Sequence, residues 1–152
     1  MKNVILIIIS SLLLANTGIC GQPLTEKQIV ALTILGEARG EGKAGMYAVA
    51  CVVVQRCIDL KQTPKTVCLK NRRVNGVVVW QFSCWACGVN PQLLNTQQGT
   101  YALGLATNLY RLNRAYVKFA DHFCHITINN YWTKGRKPVA IIGNHKFYKL
   151  RP

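Results

Sequence analysis

Nine consecutive apolar residues, Met46 to Val54, stand between Gly45 and Gln55. A helix through this run has no polar face, so other parts of the chain must cover it on every side. The pattern predicts a central core helix from about Lys43 to Cys57, emerging from the core at Gln55 and Arg56. The length of 152 residues fits one domain, and a hydrophobic fraction of 50% is ample for a core around that helix.

The flanking signals set what surrounds it. Thr25-Glu26-Lys27-Gln28 is a capping box, a hydroxyl followed three residues later by Gln. It opens a helix with Ile29, Leu32, Leu35 and Ala38 on one face, ended by Gly40. Thr63-Pro64 reads as N-cap and first position of a short helix through Val67 and Cys68. Asn75-Gly76 is the preferred pair for a tight hairpin turn. Val77, Val78, Val79, Trp80 and Phe82 favour strand, which predicts an antiparallel hairpin around Arg73 to Ser83. Trp80, Phe82 and Trp85 are either core or a stacking surface for sugar rings. Asn90-Pro91 marks a turn. A third substantial helix is expected from Thr100 to Arg114, with Leu103, Ala106, Leu109 and Tyr110 inward. From Ala115 onward the pattern is irregular and short-stranded. The fold class is therefore α+β, mainly helical, with a small antiparallel hairpin or sheet.

The chain has 19 basic and 5 acidic residues, a net charge of +14. Such a balance favours anionic partners: nucleic acid, anionic lipid or an acidic polymer. Lys2, the apolar run from Val4 to Ala15 and the small residues up to Gly21 read as a secretory signal peptide over residues 1–20. An uncleaved anchor is the alternative. Cys20 invites a lipoprotein reading, but Ile19 precedes it where a small residue is wanted. The mature domain, residues 21–152, is then exported to the periplasm, the cell wall or the medium. It carries no transmembrane segment, and export argues against nucleic acid. Loss of Lys2 takes the basic count from 19 to 18 and the net charge to +13. Cys51, Cys57, Cys68, Cys84, Cys87 and Cys124 remain, an even number that reads as disulfides in an oxidising compartment.

Two of the five acids fall in one stretch, Gly36-Glu37-Ala38-Arg39-Gly40-Glu41. Glu37 ends an apolar helix beside a break. Apolar neighbours raise a carboxyl pKa, and a helix end leaves it accessible, so Glu37 suits a general acid. The alternative is a pair of helix-end charges, with Glu41 at the start of the next helix and Arg39 as its partner.

Several blocks together resemble the cell wall hydrolases of the spore cortex-lytic enzyme type. They are the Gly36 to Glu41 stretch, Gly45 with Ala48-Val49-Ala50, Thr66-Val67-Cys68 and Gln81-Phe82-Ser83-Cys84-Trp85. Ala120-Asp121-His122-Phe123, Trp132 and Ile142-Gly143-Asn144-His145-Lys146-Phe147-Tyr148 complete the series. The resemblance runs from about Leu32 to Tyr148. It implies a lysozyme-related fold that acts on peptidoglycan glycan strands, with Glu37 as the catalytic acid and no cofactor. It also implies Glu41, Gln81, Phe82, His122, Asn144 and Tyr148 as substrate-binding residues. Cys68 and Cys84 lie in matching blocks that bracket the hairpin and are expected to pair. Gln55-Arg56 departs from the family's Asn-Arg, and the segment from Val74 to Val79 has no counterpart in its pattern.

A hydrolytic glycosidase usually needs two carboxyl groups, and Glu37 has no second acid clearly beside it except Glu41. A lytic transglycosylase needs one, acting first as acid and then as base. Muramidase-type hydrolysis by water is the alternative. Lys134, Arg136, Lys137, Lys146, Lys149 and Arg151 form a basic end suited to anionic wall polymers. Two rival readings use other residues. Cys84, Cys87, His122, Cys124 and His125 are ligand types for zinc, but their spacing exceeds that of ordinary fingers, so the expectation is no metal. A non-enzymatic cationic binder is the second.

Overall fold

The computed structural model describes residues 22–152, so the signal-peptide reading lies outside the described residues. The first helix, α1, spans Glu26–Ala38. Its capping box forms: the Gln28 N–H donates to Thr25 Oγ1 at 3.3 Å, and the Thr25 N–H donates to Gln28 Oε1 at 2.9 Å. The chain then makes one 3-10 turn, Arg39–Glu41, before the central helix α2, Gly42–Leu60. Gly42 sits at φ +65°, a conformation that favours glycine.

Helix α2 is buried from Gly45 to Cys57 apart from Tyr47, and it separates two cores. Met46, Val49, Ala50, Val53 and Val54 meet Leu32, Leu35, Phe82 and Leu105 on the helical side. Ala48, Cys51 and Val52 meet Val117, Ala120 and Phe147 on the strand side. A helix with a core on both sides has no use for a polar face, which explains its composition. Each fully buried valine contributes on the order of 1.5–3 kcal/mol relative to exposure.

The emergence expected at Gln55 and Arg56 is corrected, because both are buried and α2 runs one turn further. Both are polar residues that find partners inside. Arg114 Nη1 donates to Gln55 Oε1 at 2.7 Å, and Gln55 Nε2 donates to Asp59 at 2.8 Å. Arg56 Nε donates to the Asp121 carbonyl. Polar side chains satisfied in this way tolerate burial.

Thr63 caps the short α3, Pro64–Cys68, with proline at its first position. The hairpin follows, with β1 Asn71–Val74 paired antiparallel to β2 Val77–Trp80. Asn75 and Gly76 have φ of 50° and 80°, as a type I′ turn requires. All of its residues except Trp80 are exposed. Helix α4 spans Gln97–Thr107, starting and ending earlier than expected. Thr96 caps it through the Gly99 N–H at 2.9 Å. At the far end the backbone and side-chain amides of Asn108 both donate to the Gly104 carbonyl, which closes the helix. Tyr110, expected inward, lies beyond that closure in a 3-10 turn and is 64% exposed.

The last strands are β3 His122–His125, β4 Ala140–Ile142 and β5 His145–Tyr148. They form an antiparallel sheet in the order β3-β5-β4, with His122 opposite Tyr148 and Ile142 opposite His145. The architecture is α+β, helices with small antiparallel sheets. Among the described residues no helix is long and apolar enough to cross a membrane.

The expected Cys68–Cys84 disulfide is corrected: the six cysteines among the described residues are free thiols. Cys68 is fully buried in the helical core, whereas the Cys84 side chain packs on Gly36 beside Glu37. Burial pushes the Cys68 thiol up to about 12.

Candidate active site

The last turn of α1 delivers Glu37, and the 3-10 turn that follows delivers Glu41 to the start of α2. Gly36 decides what Glu37 meets. A β-carbon at Gly36 would collide with the Cys84 side chain, so glycine lets the turn Ser83–Trp85 lie directly on the end of α1. That approach aims the Cys84 N–H at Glu37 Oε1, 2.9 Å away, and the Ser83 hydroxyl at the same oxygen, 3.3 Å away. Glu37 Oε2 accepts no hydrogen bond among the described residues. One oxygen is held and the other is open. Burial, and then the adjacent Glu37 carboxylate, push the Cys84 thiol well above its ordinary value, so it stays protonated beside the acid.

Glu41 is placed differently. Its Oε2 accepts the Asn144 backbone N–H at 2.7 Å, and its Oε1 accepts the Asn144 side-chain amide at 3.2 Å. Glycines at 45 and 143 make the room, since a β-carbon at either would collide with Glu41. The Asn144 backbone donor, then its side chain, favour the ionised form and hold the Glu41 carboxyl below its ordinary pKa. Glu41 and Asn144, both expected to bind substrate, are committed to each other. They fasten the α1–α2 break to the β4–β5 turn. Arg39, the expected partner of Glu41, is exposed and forms no ion pair among the described residues.

A cleft of about 640 Å³ adjoins this corner. Ser83, the donor to Glu37, is part of its wall, together with Gln81, Trp80, His122, Trp132 and the buried Arg56. Of the expected substrate-binding residues, Gln81 and His122 therefore face the cleft. His122 Nδ1 lies 3.0 Å from Asp121 Oδ1, and its ring packs against Trp132 at 5.4 Å. Phe82 is corrected: it is 1% exposed and lies under the Arg56 guanidinium, 4.8 Å from its ring, so it supports the cleft from within. Tyr148 is corrected likewise. It is 3% exposed and meets Trp132 edge-on at 5.4 Å, which backs the tryptophan and leaves little of itself for a sugar.

Asp121 ties the chain's end to this wall. It accepts from the backbone N–H groups of Leu150 and Arg151 at 2.8 and 3.0 Å, and from Arg151 Nη1 at 3.1 Å. Burial alone would raise its pKa. The His122 hydrogen bond and the two backbone donors outweigh burial and hold it down to about 2. Asp59 takes Gln55, and Glu26 accepts the Lys65 N–H at 3.1 Å. Of the five acids in the chain, only Glu37 combines a place beside the cleft with an open oxygen.

Three of the five residues considered for zinc are otherwise engaged. Cys84 lies on Gly36, His122 on Asp121, and the Cys124 thiol donates to the Ile128 carbonyl. Among the described residues no three His, Cys, Asp or Glu side chains gather as a metal site would need.

Sequence reasoning missed Arg56 as a cleft residue, and it gave Ser83 and Cys84 no part in holding the acid. A lone cation inside an apolar helix is a signal for an inward arginine. Nothing local announces the two donors to Glu37.

Residues 40–148 match the family model for cell wall hydrolases. The chain belongs to the cell wall hydrolase family. Glu41, Gln81, Phe82, His122, Asn144 and Tyr148 fall inside the matched stretch, and Glu37 lies just before it. The fold is similar to two solved catalytic domains. One is that of the germination-specific lytic transglycosylase SleB from Bacillus anthracis, with a TM-score of 0.63 and 23% identity over 86% of this chain and 98% of that one. The other is that of the Bacillus cereus SleB protein, with a TM-score of 0.59 and 20% identity over 86% and 94%. No curated protein sequence matches the chain.

Proposed function

We propose that this cell wall hydrolase is an exported lytic transglycosylase that cleaves peptidoglycan glycan strands with Glu37 as its acid and base. The observation that carries the reading is that Glu37 is held through one oxygen by Ser83, a residue of the cleft wall, while its other carboxyl oxygen accepts no hydrogen bond. The name of the similar Bacillus anthracis domain agrees with it. Glu37 Oε2 protonates the glycosidic oxygen as the C1–O bond breaks. The substrate's N-acetyl group steadies the cation. The same sugar's 6-hydroxyl then attacks C1 and returns its proton to the Glu37 carboxylate, leaving a 1,6-anhydro sugar and an unchanged enzyme. Hydrolysis through two carboxyl groups has less support, because the other four acids are committed elsewhere.

Cys84 and Ser83 position the acid by holding Oε1, while Gln81, His122, Trp80 and Trp132 contact the sugars. Trp80 and Trp132 supply the apolar faces on which pyranose rings stack. Residues 1–20 direct export, so the enzyme works in the wall space. The exposed Lys134, Arg136 and Lys137 attract anionic wall polymer, whereas Arg151 is already paired with Asp121. Mass spectrometry of digested walls tests the proposal. Anhydro-sugar ends support it, and reducing ends heavier by one water support the muramidase alternative.

A further inference from the structure

Three cations and no carboxylate are part of the cleft wall, with Glu37 reached only through Ser83. Arg56, Lys70 and Arg72 line it, and the two ion pairs among the described residues both go to Asp121. Arg56 is the telling one. It is 5% exposed, stacks on Phe82 and donates Nε to a backbone carbonyl, and its other acceptor, Gln81 Oε1, is neutral and distant at 3.5 Å. A guanidinium carries five N–H donors, so several remain for a ligand. Asp121 and Glu37 act on Arg56 without forming an ion pair with it, and a cation removed from water with no direct counter-ion is costly. Lys70 and Arg72 stand at the base of the exposed β1–β2 hairpin, which adds their charge to the same space.

We propose that this cleft selects glycan strands by the carboxylates of their stem peptides, with Arg56, Lys70 and Arg72 as the specificity-determining residues. This rests on the glycan-cleaving reading above. Peptidoglycan differs from neutral amino-sugar polymers in carrying an acidic peptide on the lactyl arm of every second sugar. A strand laid along Trp80 and Trp132 brings such arms within range of the three cations. The sugar rings need only stacking and hydrogen bonds, so the positive charge serves the substituent. Arg56 suits a planar carboxylate because its donors form a fixed fork. Lys70 and Arg72 act at longer range, and screening at about 0.15 M salt limits that range to roughly 8 Å.

The test uses soluble, uncross-linked glycan strands bearing stem peptides, and the same strands with their free carboxyls converted to primary amides. The two substrates have nearly equal size and differ in charge. The unaltered enzyme is expected to cleave the anionic strands with a kcat/KM at least tenfold higher, mainly through KM, and added salt should shrink the difference. In the Lys70→Gln, Arg72→Gln double variant, whose changes lie on partly or fully exposed residues, that preference should fall severalfold. Arg56→Lys keeps the charge but loses the fork and should also lower the preference. Equal cleavage of both substrates by the unaltered enzyme, or a preference unmoved by the double variant, would overturn the proposal. If the unaltered enzyme cleaves neither substrate, the glycan-cleaving reading itself fails, a distinguishable result.

Discussion

Glu37 and Glu41 are the same residue type, four positions apart, one in the last turn of α1 and the other at the end of the 3-10 turn that follows. Glu37 meets its donors through one oxygen and keeps the other open. Glu41 gives both oxygens to Asn144. A carboxylate whose acceptors are satisfied holds structure, and one left half-satisfied beside a cleft is available for proton transfer. The difference lies in which distant segment arrives at each, the Ser83–Cys84 turn at one and the Gly143–Asn144 turn at the other.

The sharpest way to break this comparison is Glu37→Gln. Glutamine keeps the size and still accepts from Cys84 and Ser83, but it delivers no proton. Turnover on purified walls should fall by at least about 10² to 10⁴-fold, the usual contribution of general acid catalysis. Circular dichroism and wall sedimentation should stay as in the parent. A folded Glu37→Gln that works while Glu41→Gln is dead would exchange the two roles.

Gly36→Ala attacks the same corner without touching the acid. The added methyl collides with Cys84, so the turn must move off α1 and release Glu37 Oε1. Muropeptide release should fall about tenfold or more, since misplacement by 1 Å can cost as much as a hundredfold. Activity equal to the parent would mean that the grip on Oε1 does not matter.

Asp121 extends the comparison to an acid with every donor it can use. Its folded pKa of about 2 lies below the unfolded value, so its contribution to stability is present above about pH 4 and is lost as pH falls toward about 2. The size is about 2 kcal/mol by linkage. Asp121→Asn should lower stability at neutral pH by that order and flatten the acid limb of the stability profile, measured by urea unfolding at a series of pH values. An unchanged acid limb would place the acid sensitivity elsewhere.

The smallest effect belongs to Glu41. Glu41→Gln still accepts from Asn144 but loses the charge, and activity should fall less than tenfold. Because Glu41 has a lowered folded pKa, its tie to Asn144 is fully present above the ordinary carboxylate range and weakens as pH falls through it. Asn144→Ala should reproduce the Glu41→Gln effect, and the double variant should add little to either. Independent, additive losses would show that Glu41 and Asn144 do separate work.

Local signals were sufficient for the α1 capping box, the Thr63-Pro64 helix start, the Asn75-Gly76 turn and the all-apolar α2. Each depends on residues within a few positions of one another, where spacing and backbone preference already decide the conformation. The acidic stretch around Glu37 was legible for a similar reason, as a rare carboxyl at a helix break in a chain with few acids. What only the tertiary structure decided is which atoms meet across long separations. The Cys84 N–H reaches Glu37 across 47 residues, and Asn144 reaches Glu41 across 103. Arg56 turns inward because Phe82 and the Asp121 carbonyl wait there, and Phe82 is buried because that arginine covers it. A hydrogen bond between distant segments leaves no period and no motif in the chain, so the sequence by itself showed a carboxyl at a helix break, and packing alone decided which of its oxygens is free.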